Sequence, residues 1–304
     1  MSDQASALRQ MVKEKRPTLS DGKSRLEIIA VTSGKGGVGK SNITMNMSIA
    51  LAKLGRKVLI LDLDIGTANI DILLGLDLRR HLGHVFQGSA SFFEIIEKIE
   101  QNLYLVPGSS GLTEAHGMPF DRRADLRRDL LKVEEMFDYL IIDTAAGVSE
   151  QILEILRASD RVLLVSNNEP PAVVDAYALT KDYYDVGAID AKTAGRLEAT
   201  NFAKVETVEF IANNVKDEVE AREVYDKLNG AMGHFLKKEL KYLGHVVHDE
   251  GVARGVINQK PLMMSSSTGP AVKNFEVLAS RLFHDDQWRA GKGIQQLFNL
   301  LVLE

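Results

Sequence analysis

The sequence predicts an α/β fold in which a predominantly parallel sheet carries helices on both faces. Three observations lead there. Short runs of aliphatic and β-branched residues recur without polar alternation, as strands buried on both sides do. Segments with helical spacing lie between them. The first strand also runs into a glycine-rich loop, GKGGVGKS at 34–41, that opens a helix.

In chain order, residues 1–25 are polar and charged, with Pro17 and Gly22, and read as a leader with one short helical turn around Ala5–Val12. LEIIAVTS (26–33) reads as a buried strand. Lys40–Leu54 has helical spacing and stops at Gly55, a helix C-cap signal. RKVLILDLD (56–64), NLYLVPGS (102–109), DYLIIDT (138–144), RVLLVSNN (161–168) and VEFIANNV (208–215) read as further strands. Ser149–Ala158, Ala172–Tyr184 and Glu218–Lys241 read as helices. Residues 185–207 fit this rhythm poorly, as a helix extension plus a loop. The chain divides into the leader 1–25, a phosphate-loop domain 26–285 and a terminal amphipathic helix 286–304. Met45 and Met47 read as core packing.

Composition narrows the chemistry. Of 304 residues, 45% are apolar and 26% charged, and the net charge is −5, so no global field favours nucleic acid. There is no cysteine, which rules out disulfides, thiolate catalysis and cysteine-ligated metal centres, and suits a reducing cytoplasm. The N-terminus lacks the apolar core of a secretory signal, and no uncharged apolar run reaches the roughly 18 residues needed to span a bilayer. His81, His84, His245 and His248 form no ligand constellation and read as loop or surface residues.

GKGGVGKS satisfies G-x-x-x-x-G-K-S between a strand and a helix. Backbone amides of Gly34, Gly36, Gly37, Val38, Gly39, Lys40, Ser41 and Asn42 are expected to cradle phosphate, because glycines let successive N–H groups turn inward and the helix N-terminus favours an anion. Lys40 is placed to contact the β- and γ-phosphates, and the Ser41 hydroxyl to ligate Mg²⁺. Asp143 ends the strand DYLIIDT, where a metal-side carboxylate is expected. Asp62 and Asp64 close RKVLILDLD and, two apart, share a face. They can divide the work of holding metal-bound water and orienting the attacking water, although Asp62 also fits a turn or cap aspartate. Gly66 and Gly147 give both acidic loops backbone freedom.

These motifs resemble the MinD/ParA class of ATPases. KGGVGKS is similar to its deviant phosphate loop, DLDIGTANIDILLGL to its first switch region and LIIDTAAG to its second, in order over about 26–283. Within that class GKSN, ANIDILLGL, NEPPAVVDAYALTK (168–181) and the leader DQASALR (3–9) resemble the flagellar-number regulators known as FlhG, FleN or YlxH. The resemblance implies a P-loop NTPase of the SIMIBI type, a slow Mg²⁺-dependent ATPase that forms an ATP-bound homodimer. It makes Lys35 the signature lysine that crosses the dimer interface to the partner's nucleotide, Asp64 the residue that aligns the attacking water, and Asn213 and Asp249 the lining of the base pocket. The catalytic residues implied are thus Lys35, Lys40 and Asp64, with Ser41, Asp62 and Asp143 on the metal. Val247 stands where the class has proline beside Asp249, and Ala145–Ala146 where it has Gly-Ala or Pro-Ala.

The chain ends complete the expectation. In GKGIQQLFNLLVLE, Ile294, Leu297, Phe298, Leu301 and Val302 fall on one helical face. By itself that is a helix that docks on its domain; the resemblance makes it a membrane-targeting helix released on dimerisation. Asp3, Gln4, Leu8 and Arg9 match the motif through which the group stimulates an FlhF-type GTPase. The resemblance further implies flagellar switch-complex proteins or a flagellar transcription activator as partners, and a cytoplasmic protein reversibly held at the inner face of the cell membrane. The rival reading is a ParA-like partition ATPase with ATP-dependent DNA binding. It shares the whole nucleotide site, but the leader, the terminal helix and the negative charge argue against it.

Overall fold

The computed structural model describes residues 26–64, 70–108, 120–185, 207–266 and 268–284, together with 294 and 297. Asp3, Gln4, Leu8, Arg9, Gly66, Phe298, Leu301, Val302 and nearly all of 185–207 lie outside the described residues.

Eight strands form one sheet. They are β1 (Glu27–Thr32), β2 (Val58–Leu63), β3 (Glu97–Glu100), β4 (Leu103–Val106), β5 (Tyr139–Thr144), β6 (Arg161–Ser166), β7 (Glu209–Val215) and β8 (Lys241–Val247). Their order across the sheet is β3-β4-β2-β5-β1-β6-β7-β8, and every pairing is parallel except β3 with β4. The helices are α1 (Lys40–Lys53), α2 (Ile70–Leu73), α3 (Leu82–Phe86), α4 (Phe120–Met136), α5 (Glu150–Ala158), α6 (Pro170–Tyr184), α7 (Glu218–Ala231), α8 (Glu250–Ile257) and α9 (Pro270–His284).

Each central strand divides its residues between two cores, because successive side chains point to opposite faces. Ile28, Ala30, Leu59, Leu61, Leu140 and Ile142 enter the core under α4–α7. Ile29, Val31, Val58, Ile60 and Ile141 enter the core under α1 and α9. Both faces are covered, which is why these strands read as unbroken apolar runs. α1 is buried almost all round, with Ile43, Met45, Met47 and Leu51 at 0–3% exposure or less. Among the described residues no helix is long and apolar enough to cross a membrane.

Three features depart from the sequence reading. The two edge strands, β3 and β8, lacked the continuous apolar signal: β3 (EKIE) alternates between half-buried and exposed, and β8 (KYLGHVV) begins on exposed Lys241. The expected helix Glu218–Lys241 is shorter. α7 ends at Ala231, a single π-turn follows over Met232–Leu236, and Lys237 adopts a left-handed conformation (φ 54°) that stops the helix and frees Lys241 to begin β8. Prolines in its first turn set the start of α6 at Pro170, two residues earlier than expected.

The terminal segment reaches the same core. Ile294 and Leu297 are each 1% exposed and join the cluster of Leu59, Leu61, Leu130, Val133 and Leu140, in the angle between α4 and the sheet. Burying two such side chains stabilises the docked state by roughly 1.5–3 kcal/mol each. Leu297→Asp is therefore expected to undock this segment while the eight-stranded domain persists. Limited trypsin digestion, with Arg289 and Lys292 as cleavage points, should remove the tail several-fold faster from the variant; equal rates would show that this contact does not hold it.

Candidate active site

The carboxyl ends of β1, β2 and β5 converge, and the parallel register fixes what meets there. Val31 pairs with Asp143 across β1–β5, and Asp62 pairs with Asp143 across β2–β5. Residues abreast in neighbouring strands point to one side, so two carboxylates stand side by side next to the loop that leaves β1.

Two close approaches hold that loop. A β-carbon on Gly34 would lie 2.1 Å from the backbone carbonyl carbon of Asp175, so the loop packs directly on α6 and only glycine fits. Gly39 has φ 92°, and a β-carbon there would fall 2.2 Å from the amide nitrogen of Asn213. That amide donates to the Val38 carbonyl at 2.7 Å. Gly36 and Gly37 are exposed, while Val38 is buried. The Asn42 carbonyl accepts from Asn46 one turn further along α1, at 2.9 Å.

Lys40 emerges from this loop into the carboxylates. Its Nζ lies 2.9 Å from Asp64 Oδ2 and 3.0 Å from Asp143 Oδ1, with side-chain exposures of 5%, 10% and 0% for the three residues. Burial alone would lower the ammonium's pKa. Attraction to Asp143 and Asp64 outweighs it, and the pKa is raised above the ordinary value. Asp143 Oδ1 also receives the Thr44 hydroxyl at 3.1 Å, and the Ser41 side chain hydrogen-bonds the same carboxylate. Asp143 Oδ2 is buried without a hydrogen-bond partner.

A fully buried carboxylate with one saturated oxygen and one bare oxygen needs an explanation. It fits a hydrated Mg²⁺ whose water would donate to Oδ2, with the neighbouring Ser41 hydroxyl as a direct ligand. Among the described residues no group of three histidines or carboxylates gathers to hold a metal alone. The site therefore suits an ion that takes most of its oxygens from phosphate and water.

Asp62 plays a different part. Its Oδ1 accepts from the Asp64 amide at 3.1 Å and its Oδ2 from the Ile70 amide at 2.9 Å, so it straps both ends of the segment between β2 and α2. Burial, then repulsion from Asp143, push its pKa up to about 7 against those two amides. These bonds are those of the turn or cap aspartate that the sequence also allowed.

Lys35 stands apart from this cluster. It is half-buried, and its Nζ lies 2.7 Å from Oε2 of exposed Glu169, the residue preceding α6. Asp249 caps α8 through the Gly251 amide at 2.7 Å and reaches the Ala271 amide at the start of α9 at 3.2 Å, so it clasps two helix N-termini. Next to it His248 Nδ1 lies 2.8 Å from Asn214 Oδ1. Sequence reasoning did not single out Glu169 or Thr44 as site residues. Glu169 lay inside the NEPP run, and Thr44 was hidden among the apolar positions of a buried helix.

Comparison with known proteins follows this geometry. The AAA domain family matches residues 26–189, more than half of the chain. The antiactivator FleN of Pseudomonas aeruginosa is 32% identical over 263 residues, covering 86% of this chain and 87% of FleN. The flagellum site-determining protein YlxH of Helicobacter pylori is 36% identical over 264 residues, covering 86% of this chain and 84% of YlxH. In the MinC:MinD cell division complex of Aquifex aeolicus, a chain superposes with a TM-score of 0.62 at 25% identity, covering 85% of this chain and 96% of that one.

The raised pKa of Asp62 has a measurable consequence. A carboxyl that titrates near 7 when folded and near 3.8 when unfolded favours the fold most at low pH, and that contribution is lost as pH rises through about 7. Without nucleotide and Mg²⁺, wild-type protein should lose on the order of 2–4 kcal/mol more stability than Asp62→Asn between pH 5 and pH 8, read by urea denaturation. Parallel pH profiles for the two proteins would show that Asp62 is not held protonated.

Proposed function

Because the chain belongs to the MinD/ParA class of P-loop ATPases, in the group of FleN and YlxH, we propose that it is an ATP-driven dimer switch controlling flagellar number or placement. In this reading it cycles between a cytosolic monomer and a membrane-bound ATP dimer, and stimulates an FlhF-type GTPase through Asp3, Gln4, Leu8 and Arg9. The names antiactivator and flagellum site-determining protein, carried by its relatives, support control of flagella; a flagellar transcription activator or flagellar switch-complex proteins are further partners in this reading.

The observation that carries the proposal is the parting of the two lysines. Lys40 is buried between Asp64 and Asp143, whereas Lys35 lies at the surface against an exposed glutamate. An exposed ion pair contributes little to stability, so Lys35 is readily transferred to another anion. Phosphates held by a second copy of the chain are such an anion. A cation delivered across an interface stabilises charge on the transferring phosphoryl group and makes hydrolysis depend on dimerisation.

Within each copy, amides of residues 34–42 bind the phosphates and Lys40 leaves the aspartates for the β- and γ-oxygens. That transfer frees the Asp64 carboxylate to orient a water and take its proton. Ser41 would hold a Mg²⁺ ion directly and Asp143 and Asp62 would hold it through water, and the ion would supply positive charge against that developing on the β- and γ-phosphates. Asn213, already fixed to the loop carbonyl of Val38, and Asp249 line the base side.

The docked terminal segment supplies the membrane half of the switch. Ile294 and Leu297 are buried on the domain, so they meet lipid only after release, together with Phe298, Leu301 and Val302. One helix of this length binds a bilayer weakly; a dimer presents two and gains by avidity.

Lys35→Ala is expected to retain ATP binding and lose ATP-dependent dimerisation, whereas Lys40→Ala loses both, measured by nucleotide titration and light scattering with ATP. Dimerisation of Lys35→Ala at wild-type concentrations would remove the trans role. In liposome co-sedimentation of full-length protein and a variant lacking 291–304, each with ATP and with ADP, only the full-length protein with ATP should pellet strongly. Equal pelleting in all four conditions would remove the membrane step.

A further inference from the structure

Lys40 Nζ and the Thr44 hydroxyl both lie within hydrogen-bond distance of Oδ1 of Asp143, and the Ser41 side chain also hydrogen-bonds this carboxylate. On the Mg-nucleotide reading above, two of the three have other work once nucleotide is bound. Lys40 turns to phosphate and Ser41 to the metal. Asp143 is fully buried, and a buried carboxylate that loses its donors is strongly disfavoured.

Thr44 is the donor that cannot leave. It lies one turn into α1, 0% exposed, with its hydroxyl 3.1 Å from the Lys40 carbonyl and 3.1 Å from Asp143 Oδ1. One hydroxyl proton serves one of these two acceptors at a time. While Lys40 covers Asp143, the hydroxyl is able to bond back to its own helix. When Lys40 departs, rotation of the hydroxyl proton alone supplies Asp143, because the oxygen already lies 3.1 Å from Oδ1.

We propose that Thr44 is a positioning residue for the metal side of the site: its hydroxyl holds Oδ1 of Asp143 through the nucleotide cycle, so that the bare Oδ2 remains aimed at a water of nucleotide-bound Mg²⁺. The inference concerns the hydroxyl and not the bulk of the side chain. Thr44→Val keeps the shape and removes the donor; Thr44→Ser keeps the donor and removes a methyl group.

The test measures binding of a fluorescent ATP analogue across a Mg²⁺ series and in EDTA. Thr44→Val should bind the analogue in EDTA within about twofold of wild type. The Mg²⁺ concentration needed for half of the Mg²⁺-dependent gain in affinity should rise about tenfold or more, the loss expected for a hydrogen bond to a charged group. Thr44→Ser should return that midpoint to within about threefold of wild type. An unchanged midpoint in Thr44→Val overturns the proposal. So does a Thr44→Ser as defective as Thr44→Val, because packing would then be the cause. If Thr44→Val does not fold, Thr44→Ala against Thr44→Ser makes the same comparison. Wild-type affinity that ignores Mg²⁺ altogether is a separate result, and would overturn the metal reading of the site and this inference with it.

Discussion

The buried contact between Lys40 and Asp143 is the constraint on which the rest of the site depends. Register places Asp62 and Asp143 abreast at the ends of β2 and β5, in a setting too dry for two neighbouring charges. The structure answers this in two ways. Lys40 pairs with both Asp143 and Asp64, while Asp62 is pushed toward its protonated form and is held by two backbone amides. The arrangement is complete only while Lys40 faces inward. A ligand that draws Lys40 outward must bring positive charge back to Asp143, which a metal ion that accompanies phosphate does.

The loop that carries Lys40 is clamped from both sides. Gly34 lies against the backbone of α6, and Asn213 at the end of β7 is bonded to the carbonyl of Val38. A rearranged loop therefore cannot move independently of α6 and β7. Glu169, which holds Lys35, immediately precedes α6, so the surface ion pair and the buried one belong to a single mechanical unit.

Much of this was legible in the sequence because its causes are local. A phosphate loop requires glycines at fixed offsets, and strands covered on both faces must be apolar throughout, so GKGGVGKS and runs such as DYLIIDT could be read directly. What depends on pairing between distant segments was not legible. β3 and β8 sit at edges, where half of each strand is wetted and no pattern is enforced. Lys237 stops a helix by a backbone conformation that its side chain does not advertise. The abreast placement of Asp62 and Asp143 follows from strand order, which no single segment encodes. Thr44 becomes meaningful only when α1 is laid against β5, and the clasp by Asp249 only when α8 and α9 are brought together.

Burial decides which lysine does which work. An ion pair at 0–10% exposure, removed without replacement, strands carboxylates in a dry interior, so on the proposed reading Lys40 would exchange its partners only when phosphate and metal arrive together. The pair of Lys35 with Glu169 is in water on both sides, and its rupture leaves two hydrated ions. The inner lysine thus couples occupancy of the site to its own geometry, and the outer one is at liberty to respond to a neighbour. Both are carried by one rigid loop, a few residues apart. On the proposed reading, that separation by solvent exposure would let a single glycine-rich segment bind a nucleotide in its own chain and meet the phosphates of another.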